Sequence, residues 1–163
     1  MEIKYTNYAD GVHEFDFKVP VGTLGLGKPF FGNLNLHCKM DKSSSQIVLD
    51  SFFDIGAILV CDRCLAEFEK IFSGSFELVY LFTKKEDLGE DDNVYYLSPE
   101  ESKINVKPDL LEFVNLSLPM KILCKEDCKG LCSKCGADLN LVDCNCNKEE
   151  INLIWAPLLK LKD

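Results

Sequence analysis

The chain has 163 residues, 47% of them hydrophobic, and a formal net charge of −9. Length and apolar content suffice for one medium domain with a small appendage, and the acidity excludes a protein that coats nucleic acid through counterion release. The charge is uneven: residues 1–118 hold 11 Lys+Arg against 20 Asp+Glu, whereas residues 119–163 hold seven of each and are neutral.

Met1 to Asp10 shows no basic start, apolar run or small-residue cleavage site, so a soluble, reduced, cytoplasmic chain is expected. His13, Phe15, Phe17 and Val19 then alternate with Glu14, Asp16 and Lys18, the period of two of a half-buried strand. Gly22, Gly25, Gly27 and Pro29 make a loop. Leu34, Leu36, Cys38 and Met40 share one face of the next strand, and residues 42–45 form a turn. Ile47 to Val60 is a mostly apolar strand in which Gly56 is expected to mark a bulge. Phe68, Phe72, Phe76, Leu78, Tyr80 and Phe82 keep one parity beyond it, with a second bulge expected at Gly74.

Glu86 to Asp92 packs five acids into seven residues and reads as a surface loop, one that a basic partner could also use. Short strands are expected at 94–97 and 103–106. One helix follows, with Asp109 as its cap, Glu112 as a capping-box partner and Pro119 as its end. Leu110, Phe113, Val114 and Leu118 line one side of it. Residues 124–146 hold too few large apolar side chains to fold without a cross-link or an ion, and a short amphipathic piece, Asn152 to Leu161, closes the chain.

Eight of nine cysteines fall into four close pairs: Cys61 with Cys64, Cys124 with Cys128, Cys132 with Cys135, and Cys144 with Cys146. A C-x2-C loop lets two thiolates converge on one cation, and two such pairs make the closed four-sulfur geometry of structural zinc. In a reduced compartment metal is preferred to a disulfide framework. Cys132-Ser-Lys-Cys135-Gly136 is the most specific local motif, a zinc knuckle that Cys144 and Cys146 can complete. Cys61 and Cys64 then take Cys124 and Cys128, which have no other mates. A thioredoxin-type dithiol at Cys61 and Cys64 would require a helix N-terminus, and strands flank the motif instead. The iron–sulfur spacing of Cys128, Cys132 and Cys135 lacks the large barrel that such chemistry uses. Cys38 reads as core packing.

No hydrolytic triad is visible around His13 or His37, and Gly22, Gly25, Gly27 and Lys28 lead to Pro29 rather than to a phosphate-cradling helix. Lys121, Lys125, Lys129 and Lys134 run through the knuckles as a candidate RNA-binding patch, interleaved with Glu126, Asp127 and Asp138.

These motifs carry a resemblance. Cys61-Asp-Arg-Cys64-Leu65, Leu118-Pro119-Met120-Lys121 and Cys124-x2-Asp127-Cys128-Lys129-Gly130-Leu131-Cys132-x2-Cys135-Gly136-x-Asp138-Leu139-Asn140, followed by Cys144-x-Cys146, resemble the YceD family of bacterial proteins and their plastid relatives. The resemblance implies a role in accumulation of 23S ribosomal RNA and assembly of the large ribosomal subunit. Where the family tends to carry Asp-Pro-Arg near its end, this chain has Asn152-Leu153-Ile154.

The fold expected is α+β: an antiparallel, barrel-like sheet with one main helix within residues 1–118, and a cysteine-rich, zinc-stapled segment over 119–163. The function expected is non-enzymatic, a ribosome-biogenesis factor with two zinc ions. It would bind 23S rRNA, a large-subunit precursor or a ribosomal protein, with neither a membrane nor a small-molecule substrate. The alternative is a zinc- or thiol-based redox-responsive interaction protein.

Overall fold

The computed structural model describes residues 1–83 and 93–146. The acidic run at 86–92 and the terminal piece at 152–161 lie outside the described residues. The fold is α+β, with strands β1 (Glu2–Ile3), β2 (Gly11–Pro20), β3 (Phe30–Lys42), β4 (Gln46–Val60), β5 (Glu67–Leu81), β6 (Val94–Tyr96) and β7 (Ile104–Asn105). Among the described residues Tyr5–Asn7 forms a 3-10 turn, and the α-helices are the single turn α1 (Val21–Leu24) and α2 (Lys107–Leu116). Neither is long and apolar enough to cross a membrane.

β2 to β6 form one sheet in chain order, and β1 pairs with β7 in a separate two-stranded ladder. The large sheet is not closed. β2–β3 and β3–β4 pair antiparallel, whereas β6 runs parallel to β5, with Val79 opposite Val94.

The period-two pattern decides which side chains are buried. Leu34, Leu36, Cys38 and Met40 on β3 meet Ile47, Leu49, Phe53 and Ile55 on β4, all essentially inaccessible to solvent. β5 adds Phe72, Phe76, Leu78 and Tyr80. Each large apolar side chain so buried contributes about 1.5–3 kcal/mol relative to exposure. Cys38 is fully buried there and its sulfur accepts a hydrogen bond from Ser51 Oγ at 3.4 Å.

Neither Gly56 nor Gly74 interrupts the alternation of burial along its strand, as an inserted residue would. Both glycines instead make room for a ring. A Cβ at Gly56 would lie 3.0 Å from Phe31 Cζ, and one at Gly74 would lie 2.6 Å from Phe53 Cζ. The irregularity in register falls on β3, between Phe31 and Asn35, where Gly32 takes a φ of +75°. The expected loop at 22–29 begins as α1, which Gly25 ends in a left-handed conformation at φ +81°.

α2 starts two residues before Asp109. Val106 is its N-cap, Pro108 sits in its first turn, and Lys107 N–H donates to Asn105 Oδ1 at 3.2 Å. A proline is accommodated there because its missing N–H has no intrahelical partner to lose. Asp109 therefore lies in the first turn, where a carboxylate favours the helix dipole, and accepts a hydrogen bond from Tyr95 Oη. The helix ends at Leu116, before Pro119. Leu110 and Val114 are fully buried, and Phe113 stacks on Phe76 with ring centroids 4.7 Å apart.

The chain divides into two compact units. One comprises residues 1–59 and 67–122; the other takes residues 60–66, from the β4–β5 connection, together with the chain from Leu123 onward.

Candidate metal centres

In the second unit, residues 61–66 and 132–137 fold by the same local rule. Leu65 N–H donates to Cys61 O and Cys61 N–H to Ala66 O, both at 2.9 Å. In the other loop Gly136 N–H donates to Cys132 O at 2.9 Å and Cys132 N–H to Ala137 O at 2.8 Å. Closing this loop needs a left-handed residue after the second cysteine. Gly136 supplies it at φ +73°, and Leu65 adopts it at φ +59°, a conformation that costs a side-chain-bearing residue roughly 1–2 kcal/mol.

The two loops gather two groups of four sulfurs. Cys61, Cys64, Cys124 and Cys128 form one, and Cys132, Cys135, Cys144 and Cys146 form the other; within each, the ligand atoms lie within 4.8 Å of one another. Cys61 Sγ is 3.8 Å from Cys128 Sγ, and Cys64 Sγ is 3.7 Å from Cys124 Sγ. Sulfurs about 2.3 Å from a central tetrahedral zinc would be spaced ~3.8 Å apart. The first cluster fits that shape, and no cysteine is in a disulfide.

The two clusters differ in enclosure. Cys61, Cys64 and Cys128 are buried and Cys124 half-buried, whereas in the second only Cys132 is buried and Cys135 is exposed. Electrostatics divide each set. Burial raises the Cys61 thiol, but the backbone amides of Cys124, Cys64 and Arg63 outweigh it and bring it down to about 6. The amides of Cys135 and Lys134 likewise bring Cys132 to about 6. Burial and the neighbouring sulfurs push Cys124 up to about 12, and Cys135 together with burial does the same to Cys146. One thiolate per cluster is thus favoured by the backbone, and further ionisation needs a cation to offset the repulsion.

Residues beyond the cysteines hold the first cluster together. Arg63 Nη1 donates to Cys128 O at 2.7 Å, and Leu131 N–H donates to Arg63 O at 3.0 Å. A Cβ on Gly130 would lie 2.9 Å from that same Arg63 oxygen, and Gly130 has a φ of +76°. Asn140 donates Nδ2–H to Cys128 Sγ at 3.4 Å and to Asp138 Oδ1 at 2.7 Å, and its Oδ1 accepts Lys129 N–H at 2.9 Å. Cysteine spacing says nothing of Arg63 or Asn140. The available signals are their places in the Cys61-Asp-Arg-Cys64 and Asp138-Leu139-Asn140 motifs that carry the resemblance, and the turn chemistry of the latter beside a knuckle.

Lys125, Lys129 and Lys134 are exposed in this second unit, whereas Lys121, also exposed, belongs to the first. His37 Nδ1 lies 2.9 Å from Asp16 Oδ1, a pair created by the β2–β3 register. Its flanking cross-strand pairs, Glu14–Lys39 and Lys18–Asn35, offer no hydroxyl or thiol. His13 meets Ala9 O and the Tyr8 ring.

The family profile described as large ribosomal RNA subunit accumulation protein YceD matches residues 54–162, a span that contains all eight clustered cysteines. The chain belongs to the YceD family. One YceD relative is the chloroplastic large ribosomal RNA subunit accumulation protein YCED homolog 1 of Arabidopsis thaliana, 26% identical over 75% of this chain and 46% of its own length. The Bacillus subtilis protein YlbN is 28% identical over 76% of this chain and 70% of its own. A Mycobacterium leprae protein, ML1660, is 25% identical over 77% and 57%. The chain thus spans about half the length of the plant relative. No solved structure matches it significantly.

Proposed function

We propose that this YceD-family chain is a non-enzymatic factor in biogenesis of the large ribosomal subunit. It supports accumulation of 23S rRNA by binding that RNA, a precursor particle or a ribosomal protein in the cytoplasm, and each cysteine cluster holds one structural zinc ion. The observation that carries the reading is the family match, which runs over both clusters. The sulfur spacing of the first cluster supports zinc, as does the donor set of both, since four thiolates with no open position suit a structural ion. Bound zinc would neutralise charge at Cys61, Cys64, Cys124 and Cys128, and at Cys132, Cys135, Cys144 and Cys146, and so cross-link a segment poor in apolar core.

Lys125, Lys129 and Lys134 are the proposed RNA contacts, with Lys121 as a fourth from the other unit. So few cations on so acidic a chain imply weak affinity for free RNA and a shallow salt dependence. Sucrose-gradient fractionation of cell lysate tests the function. The protein is expected in large-subunit precursor fractions, and Lys129→Glu with Lys134→Glu is expected to release it without changing its metal content. Absence from every precursor fraction would overturn the reading. A second reading, a thiol-responsive interaction protein, is favoured by the exposure of Cys135; mild oxidation would then release metal and change partner binding together.

A further inference from the structure

The outward face of the large sheet carries a second recognisable surface, wholly within the first unit. At the outward positions of β4 and β5 stand five carboxylates, Asp50, Asp54, Glu67, Glu69 and Glu77, against one cation on the two strands, the exposed Lys70. Among the described residues none of the five is in an ion pair. Large apolar side chains share the face: Ile71 is 70% exposed, Phe52 49%, Ile58 43% and Phe31 37%. Alternation alone would place polar groups at these positions, so their exposure calls for an explanation.

These features converge on a cleft of about 530 Å³ lined by Phe31, Asn33, Asn35, Asp54, Glu69, Lys70 and Ile71, in which the two carboxylates outnumber the one ammonium. Gly56 forms part of its floor. The far end of the Phe31 ring rests on that glycine, and a Cβ there would approach within 3.0 Å of it. The register shift between Phe31 and Asn35 turns Gly32 and Asn33 to the same rim. Asn35 Nδ2 donates to Asp54 Oδ2 at 2.8 Å, which orients that carboxylate beside the ring. An aromatic ring, two carboxylates and an exposed aliphatic side chain make a receptor for a guanidinium or ammonium group on an apolar stem.

We propose that this face docks a basic protein segment in which arginine or lysine alternates with apolar residues. Cations of the segment meet Asp54 and Glu69, its apolar side chains cover Ile71, Ile58 and Phe52, and the exposed Asn33 amide faces its backbone. A nucleic acid is disfavoured, because its phosphates would face five carboxylates against a single cation on the two strands, Lys70, whose ammonium lies over the Phe72 ring. The inference stands apart from the large-subunit reading, and peptide binding can fail or succeed whatever the gradient shows.

The test uses the full metal-loaded chain and a short fluorescein-labelled peptide alternating arginine with leucine, read by fluorescence anisotropy. Its comparators are the same peptide with glutamate in place of arginine, and a single-stranded uridine oligonucleotide of similar length. The arginine peptide alone is expected to bind, less tightly as salt rises. Glu69→Gln and Ile71→Ser are each expected to weaken it roughly tenfold, the loss typical of a central contact, whereas Glu14→Gln on β2 leaves it unchanged. Both side chains are solvent-exposed, so folding is expected to survive, and circular dichroism verifies it. Equal binding by wild type and both variants, or binding of the oligonucleotide rather than the peptide, would overturn the proposal.

Discussion

Asn140 donates a side-chain N–H to the sulfur of Cys128, although the two residues belong to different stretches of the cysteine-rich segment. Asn140 lies between Cys135 and Cys144 of the second cluster, and Cys128 is a member of the first. The amide therefore couples the loop of one cluster to a sulfur of the other. Asn140→Asp would set a carboxylate beside that sulfur and remove the donor. Loss of a partner outside the ligand set lowers metal affinity by roughly 10–100-fold. Titration of zinc-loaded protein with a chromogenic chelator is expected to show one release step shifted by that amount, the step lost in a Cys61→Ser variant.

Enclosure predicts the order of metal loss. Cys135 is exposed while Cys61 and Cys128 are buried, so chelator and alkylating reagent reach the second cluster first. Partial stripping followed by iodoacetamide and mass spectrometry is expected to label Cys135, Cys144 and Cys146 before Cys61 and Cys64. Simultaneous labelling of all would contradict the difference in enclosure.

Removing single ligands should separate the clusters further. Cys144→Ser opens a group that closes within residues 132–146, so the tail loosens locally and the β-sheet keeps its circular dichroism. Cys61→Ser removes a tie between residues sixty or more apart in sequence, and a longer closed loop restrains the unfolded chain more. The thermal midpoint is expected to fall further for Cys61→Ser; equal falls would count against this account.

The contact between Phe53 and Gly74 makes the sheet sensitive at one position. A methyl at residue 74 would sit 2.6 Å from the ring of a fully buried phenylalanine in a packed core. Gly74→Ala is expected to destabilise by about 1–3 kcal/mol through overpacking. Urea unfolding checks this, and Phe53→Leu in the same chain should recover part of the loss if ring and methyl compete for one space.

What the amino-acid order revealed, it revealed through parity and spacing. Phe72, Phe76, Leu78 and Tyr80 share a burial face because β-strands alternate, and this needs no knowledge of partners. Register does need partners. The Asp16–His37 pair, the shift between Phe31 and Asn35 and the parallel placement of β6 arise from how strands align. Gly56 and Gly74 looked like bulges because a glycine in a strand has two explanations, extra chain length or a neighbour's ring, and only the neighbour distinguishes them. Asp109 looked like a cap because the residue type favours caps; Pro108 and the Asn105 side chain allowed the helix to begin earlier. Cysteine pairs were legible from spacing, whereas Leu65 in a glycine's conformation, Arg63 and Asn140 were not, since their roles depend on segments remote in sequence.

The cysteines of the first cluster also differ in when a ribosome would deliver them. Cys61 and Cys64 are made about sixty residues before Cys124 and Cys128, and β5, β6 and α2 are made in the interval. During that interval the emerging chain offers only half of a four-sulfur set. The second group, from Cys132 to Cys146, comes out almost at once and can close on itself. Metal loading in the newborn protein is therefore expected to be a terminal event for both, and for the first cluster also a record that everything between its halves has been synthesised. A chain cut short before Cys124 would keep its β2–β5 strands but leave Cys61 and Cys64 as an uncapped dithiol, a chemical mark by which an incomplete copy differs from a finished one.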